Sequence, residues 1–410
     1  MYLYYIKKIG FGCWLILTYF GLISPLLKYI IPTVISMIIV PLAMIIMGII
    51  AFFKINREKI TLDYAILLIA LEFFITSFAS YIIFGQPLIK GFLASRIFLV
   101  MLFCYYLASK PSSMVYFFRL QINLSKYIIP ISIISLYLLN IDQNTISTIF
   151  HVQSDDVSYG SELKGSILFY AASGIPVMFV YYLIQYVKNA NRNALYMIIL
   201  TVAYYMFCAK GRLLLVGCIW ILFIYCIQNR NNRSNKLLYY TIIGFLCICI
   251  YDIHIFDSFM ALADFFGISG KIEDSSVLVR VANRDYLWPV IMSHPIFGVG
   301  NLSNQFHPNF FDLFHEQFYV ADMGYLGVLL TGGFFKAFVY IFFFISAFKQ
   351  CNKIGAKADI VKYLLYYYLY LCIACQDVFL FDYAVPLLIA PLLNMKCLYD
   401  KKYPLNLNNI

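Results

Sequence analysis

Long apolar runs recur along the whole chain, separated by short polar connections. About twelve of them are long enough to cross a ~30 Å hydrocarbon core as helices. They lie at residues 10–27, 31–53, 62–84, 91–108, 121–140, 165–187, 194–209, 213–228, 237–252, 320–346, 361–376 and 378–395. Apolar and polar residues do not alternate at every second position, as the strands of a membrane β-barrel would. In lipid the backbone must satisfy its own hydrogen bonds, so this pattern predicts an all-α polytopic membrane bundle. Tyr2 to Lys8 lead into the first run with no small-residue cleavage site, which predicts a retained helix. No low-complexity segment and no clear internal repeat breaks the pattern. Residues 1–410 are therefore expected to form a single integral membrane domain.

Composition agrees with the pattern. The chain is 63% hydrophobic and 12% charged, with a mean hydropathy of +0.81. A soluble globule is excluded. The formal net charge of +10 could suggest a polyanion partner, but its placement says otherwise. Most Lys and Arg fall in alternate connections: Lys7 and Lys8, Lys54 to Lys59, Lys110 to Lys126, Lys188 and Arg192, Arg230 to Lys236, Lys349 to Lys362, and Lys396 to Lys402. By the positive-inside rule that side is cytoplasmic and holds both termini. The basic excess is a topology signal, and no nucleic-acid partner is expected. The opposite side carries two long loops, 141–164 and 253–319, and all five histidines fall in them. The eleven cysteines sit in or beside spans and read as small hydrophobes, including the C-x-x-C pair Cys372 and Cys375.

The basic residues outside this pattern are informative, because a cation in or beside a span needs compensation. Arg96, in "GFLASRIFLVM", either snorkels, pairs with Glu72, or meets an anionic ligand. Lys210 and Arg212 flank Gly211 in a tight turn whose charge and backbone N–H groups suit a phosphate. Downstream, "EDSSVLVRVANRDYLWPVIMSHP" reads as a helix capped at Asp274 or Ser275 and kinked at Pro289. Arg280 and Arg284 are four apart on it, so they share a face and repel unless an anion lies between them. A pyrophosphate gripped by two guanidinium forks would answer that, although solvated surface arginines are the plain alternative. The segment "HIFDSFMALADFFGISG" is amphipathic and predicts an interfacial helix.

A polar island, "SHPIFGVGNLSNQFHPNFFDLFHEQFY", follows at 293–319. Its Pro and Gly punctuation predicts a loop folded back over the mouth of the bundle. His294 and His307, each followed by Pro, read as turn residues. His315 lies near the next span, where a neutral imidazole can take a proton from a hydroxyl. No His pair has metal-ligand spacing and the C-x-x-C pair lies inside an apolar run, so no metal and no cofactor is expected. In "YVADMGYLGVLLTGG", Asp322 falls where a helix should begin and reads as a cap or first-turn anion. Gly324, Gly327, Gly332 and Gly333 read as close-packing positions. No phosphate-binding loop, nucleophile elbow or dinucleotide fingerprint is present.

The run from Arg280 through "HPIFGVGNLSNQF", "HEQFY" and "DMGYLG" resembles the signature region of the O-antigen polymerase and ligase superfamily. The "KGRLLLVG" turn is similar to that family's turn before a span, and the topology matches. The resemblance implies a metal-independent bundle of the GT-C kind in the bacterial inner membrane, with loops 141–164 and 253–319 periplasmic. The donor would be an oligosaccharide on undecaprenyl pyrophosphate. Arg212, Arg280 and Arg284 match the arginines that hold the pyrophosphate, and His315 matches the group that activates the acceptor. Lys210, Arg96, Asp322 and Glu316 are further candidates for holding pyrophosphate or glycan. Glu316 stands where ligases carry Asn, and the D-x-G-x-x-G around Asp322 is closer to repeat-unit polymerases. A chain-length regulator and a flippase are implied partners. A ligase acting on lipid A core and a transporter of lipid-linked sugar remain the alternatives. Glu72 and Lys336 are the main mid-span charges, whereas a transporter would line its path with them.

Overall fold

The computed structural model describes residues 38–55, 60–110, 174–189, 191–205, 212–229, 286–313, 320–374, 377–381 and 385–394, with scattered helical positions at 118–130 and 236–240. Among these the chain is helical, without strands. In chain order the helices are α1 (Val40–Lys54), α2 (Thr61–Phe84), α3 (Leu88–Ser95), α4 (Ile97–Val100), α5 (Phe103–Ala108), α6 (Gly174–Asn189), α7 (Arg192–Ala203), α8 (Arg212–Gln228), α9 (Phe310–Leu313), α10 (Tyr325–Ile354), α11 (Asp359–Ala374), α12 (Val378–Phe381) and α13 (Val385–Leu393). Among the described residues two stretches, Thr61–Phe84 and Tyr325–Ala374, are long and apolar enough to cross a membrane, and the bent pair α3 with α4–α5 adds a third if it forms one span.

The described residues fall into two compact units. One holds α6, α7 and α8, with α6 packed on both others. The second holds α2–α5, α9–α13 and all but the first residue of α1. Within it α10 packs on α2 and α11, α3 and α4 lie against α2, and α13 packs on α5.

Helix α2 shows why this second unit belongs in lipid. The Asp63 carboxylate accepts from the Ile60 N–H at 2.7 Å and starts the helix. Leu62, Ala65, Ile66, Ile69 and Phe73 form an inward stripe at helical spacing, joined by the buried polar residues Glu72, Thr76, Ser77 and Ser80. The outward face is Tyr64, Leu71, Phe74, Phe78, Tyr81 and Ile82, all exposed. Polar groups inside and large apolar groups outside invert the soluble pattern and suit a hydrocarbon solvent.

Two sequence expectations need correction. The span at 91–108 is not one straight helix. It breaks at Arg96 and again at Met101–Leu102, and its two parts meet at 45°. The span at 320–346 begins later, at Tyr325, after a 3-10 turn over Val320–Met323, and it is itself interrupted at Gly333. The expected span 10–27, the loop 141–164 and most of the loop 253–319 lie outside the described residues.

Candidate functional site: a loop stitched into a broken helix

The break in α10 organises the site. Gly333 has φ +63°, so the helix cannot run through it. An unbroken α-helix would bond Phe334 N–H to Leu330 O and Phe335 N–H to Thr331 O. Both bonds are missing, which would leave four backbone groups orphaned at membrane depth. The polar island supplies all four partners. Val299 N–H donates to Leu330 O at 2.7 Å and Gly300 N–H donates to Thr331 O at 3.1 Å. Phe334 N–H and Phe335 N–H donate to Pro295 O and Ile296 O, at 2.8 and 3.0 Å. Non-helical backbone is tolerated there because protein covers it. A Cβ on Gly333 would lie 2.4 Å from Ile296 O, so the seam admits only glycine. Gly333 was expected to serve helix packing; its role is to let the loop in.

Side chains lock the loop from the other flank. Gln86, fully buried, donates to Asn301 O at 2.9 Å and to Ser80 Oγ at 3.0 Å, and accepts from Ser303 N–H at 2.7 Å. Asn301 Nδ2 donates to Ser95 Oγ at 3.2 Å, which lies 2.9 Å from Thr76 Oγ1. Beneath the loop Leu287, Ile291, Val299, Leu302, Met323 and Leu330 form one apolar core. At the rim Lys90 Nζ donates to Gln305 O at 2.7 Å.

The break also exposes a charge problem. Lys336 sits in the first turn of the second half of α10, where the helix dipole disfavours a cation. It is fully buried. Its ammonium pairs with Asp377 Oδ2 at 2.6 Å and donates to Thr331 Oγ1 at 2.8 Å, across the break. The Phe98 ring lies 4.8 Å from the same nitrogen. Asp377, also buried, accepts from Tyr340 OH at 2.6 Å and from Phe379 N–H at 3.2 Å. Asp377 escaped the sequence reading because it falls in the gap between two expected spans and looked like a loop residue. The signal that could have found it is Lys336 itself: a mid-span lysine demands a nearby anion.

Where the expected site residues fall is uneven. His315, Glu316, Arg280, Arg284 and Lys210 lie outside the described residues. Arg212 begins α8. Asp322 lies in the 3-10 turn and is not a helix cap, because the N-cap of α10 is Gly324. Arg96 stands at the joint of α3 and α4 and donates to Leu93 O. Of the alternatives for Arg96, the pairing with Glu72 does not form: both Glu72 carboxylate oxygens and Arg96 Nε lack hydrogen-bond partners. The bend at 96 turns the guanidinium back on its own helix. His294 and His307 both sit at bends.

At the loop's end Asn309 and Asp312 cap α9 reciprocally. Asn309 N–H donates to Asp312 Oδ2 at 2.8 Å, and Asp312 N–H donates to Asn309 Oδ1 at 3.2 Å. His307 Nδ1 lies 2.8 Å from the same carboxylate. The Asn309 N–H, and after it the His307 ring, hold the Asp312 carboxyl below the usual carboxylate range. A lowered folded-state value stabilises above the unfolded value and is lost as pH falls through the folded one. Amide protection of Asn309 by hydrogen exchange should therefore fall on acidification below the ordinary carboxylate range. Asp312→Asn should flatten that dependence; an unchanged profile would remove Asp312 as its cause.

The apolar spans, the bent helix pair and the broken α10 with its inserted loop define a helical membrane protein. Residues 195–341 match the family model for O-antigen ligases, a match that takes in the loop, the break and Lys336. The match covers 147 of the 410 residues. No curated protein and no solved structure matches the chain.

Proposed function

We propose that the protein is a polymerase of lipid-linked oligosaccharide repeat units, working at the periplasmic face of the bacterial inner membrane. The family match over 195–341 supports glycan transfer from a lipid-linked donor, and the D-x-G-x-x-G around Asp322 is what favours the polymerase within that class. In the proposed reaction an acceptor sugar hydroxyl attacks the anomeric carbon of a glycan on undecaprenyl pyrophosphate. The new glycosidic C–O bond forms as the C–O bond to pyrophosphate breaks, and the hydroxyl proton passes to His315. Arg280, Arg284 and Arg212, with Lys210, neutralise the charge growing on the leaving group. Fixed guanidinium groups in a water-poor cleft do this effectively. Asp322, Glu316 and Arg96 are assigned to positioning glycan or pyrophosphate. The leaving group supplies the driving force, so no nucleotide and no cofactor enters. A chain-length regulator and a flippase are the proposed partners.

The second reading, transfer of finished glycan to lipid A core, is favoured by the description of the matching family. Against it, Glu316 stands where ligases carry Asn. Gene deletion followed by gel analysis of lipopolysaccharide separates the two. Core bearing one repeat unit is the expected result. Bare core with polymer accumulating on the carrier would establish the ligase instead, and an unchanged ladder would refute both. Arg280→Ala, inserted normally, should cut chain extension by about 100-fold or more.

A further inference from the structure

The end of the polar island carries a second cluster, beyond the seam. It lies in the second unit, where the loop meets the start of α3. Phe306 packs partly buried against the apolar core under the loop, as do Phe84 and Tyr325. The Lys90 ammonium stands 5.9 Å from the Phe306 ring centre and donates to Gln305 O at 2.7 Å. Asn309 Nδ2 donates to Asn304 O at 3.4 Å, so the backbone of 304 and 305 is tied at both carbonyls. Asn304 and Gln305 are exposed, and among the described residues their side-chain amides make no hydrogen bond.

His307 is held there in a defined hydrogen-bonding state. Asp312 Oδ2 accepts from Asn309 N–H and from His307 Nδ1, each at 2.8 Å. An ionised carboxylate only accepts, so in the neutral ring Nδ1 carries the hydrogen and Nε2 keeps its lone pair. The carboxylate cannot swing away, because the reciprocal bonds between Asn309 and Asp312 hold it. Those two bonds already close the turn and cap α9, so the turn does not need the imidazole. The His307 side chain is nevertheless fixed at its inner nitrogen and 75% exposed, and Nε2 meets no partner among the described residues.

We propose that this rim is a carbohydrate subsite, in which His307 Nε2 accepts a hydrogen bond from a sugar hydroxyl of the lipid-linked glycan. Sugar hydroxyls both donate and accept, and the rim answers both. It offers an imidazole acceptor, two amides that do either, and an ammonium with donors to spare. The partly exposed Phe306 ring gives an apolar surface for the C–H groups of the sugar. A phosphate fits poorly: among the described rim residues Lys90 is the only cation, and the Asp312 carboxylate counters it. The inference rests on the glycan-transfer reading above. It adds a binding site to that reading and leaves the proton step at His315 unchanged.

Full-length protein carrying isotope-labelled histidine, reconstituted in phospholipid vesicles, tests it. Nitrogen NMR of His307, assigned by the signal lost in His307→Gln, should show the Nδ1–H form. Lipid-linked glycan extracted from a host lacking the gene should shift the Nε2 signal, whereas undecaprenyl pyrophosphate without sugar should not. In transfer assays on the same vesicles, His307→Leu should raise the half-saturating glycan concentration about tenfold, the loss of one hydrogen bond, with a smaller effect on kcat. His307→Gln keeps an acceptor and should recover part of that loss. Amide exchange at Asn309 checks in each variant that the cap of α9 is intact. A shift produced equally by the sugar-free carrier, a ring protonated at Nε2 alone, or wild-type half-saturation in His307→Leu overturns the subsite. Failure of the transfer reading shows separately, as an unchanged lipopolysaccharide ladder on gene deletion, and takes the subsite with it.

Discussion

Lys336→Met will destabilise the second unit by about 3–5 kcal/mol, the cost of stranding one member of a buried ion pair. The substitution preserves the volume of the stem, so cavity formation contributes little. What changes is Asp377. Its Oδ2 loses the ammonium at 2.6 Å, while Tyr340 and Phe379 still hold Oδ1. Thr331 loses its link across the helix break as well. Denaturant unfolding in detergent, followed by tyrosine and tryptophan fluorescence, measures the loss. The double variant Lys336→Met with Asp377→Asn separates charge from packing. The amide keeps the acceptor for Tyr340 and carries no charge, so the double variant should recover much of the stability lost in the single one. Equal destabilisation in both would mean that the ion pair does not carry the effect.

The ion pair also shows which parts of the site can be read from the sequence. Long apolar runs have little freedom in lipid, so the run at 62–84 coincides with α2 and the run at 361–376 nearly with α11. Interruptions are harder to read. Arg96 bends its span and Gly333 breaks another, yet both sit inside runs whose apolar content alone reads as continuous helix. Such a break is tolerated only where the freed backbone finds a partner, and that partner lies in a loop distant in the chain. The loop was legible as a polar island, because turn residues and amides stand out against apolar surroundings. Its docking place was not, because backbone hydrogen bonds leave no side-chain signature. Asp377 illustrates the same limit: one carboxylate between spans looks like a connection until the lysine opposite it is placed.

Gly300→Ala should undo the docking itself. Gly300 has φ +82°, a conformation that costs an L-residue about 1–2 kcal/mol. An added Cβ would also lie 2.2 Å from Thr76 O and 2.4 Å from Ser80 N, both backbone atoms of α2 that cannot swing aside. The loop must therefore retreat from the helix. That retreat strains or breaks the bond from Gly300 N–H to Thr331 O, and the Asn301 and Gln86 contacts beside it. Overpacking of this kind adds about 1–3 kcal/mol. α2 and α11 keep their own contacts, so the expected outcome is local: the protein still inserts and stays folded, while residues 295–303 gain hydrogen exchange and protease sensitivity. If the proposed transfer needs this loop in place, chain extension falls in the same variant. Protection of 295–303 equal to that of the wild type would show that the loop is held by something other than this seam.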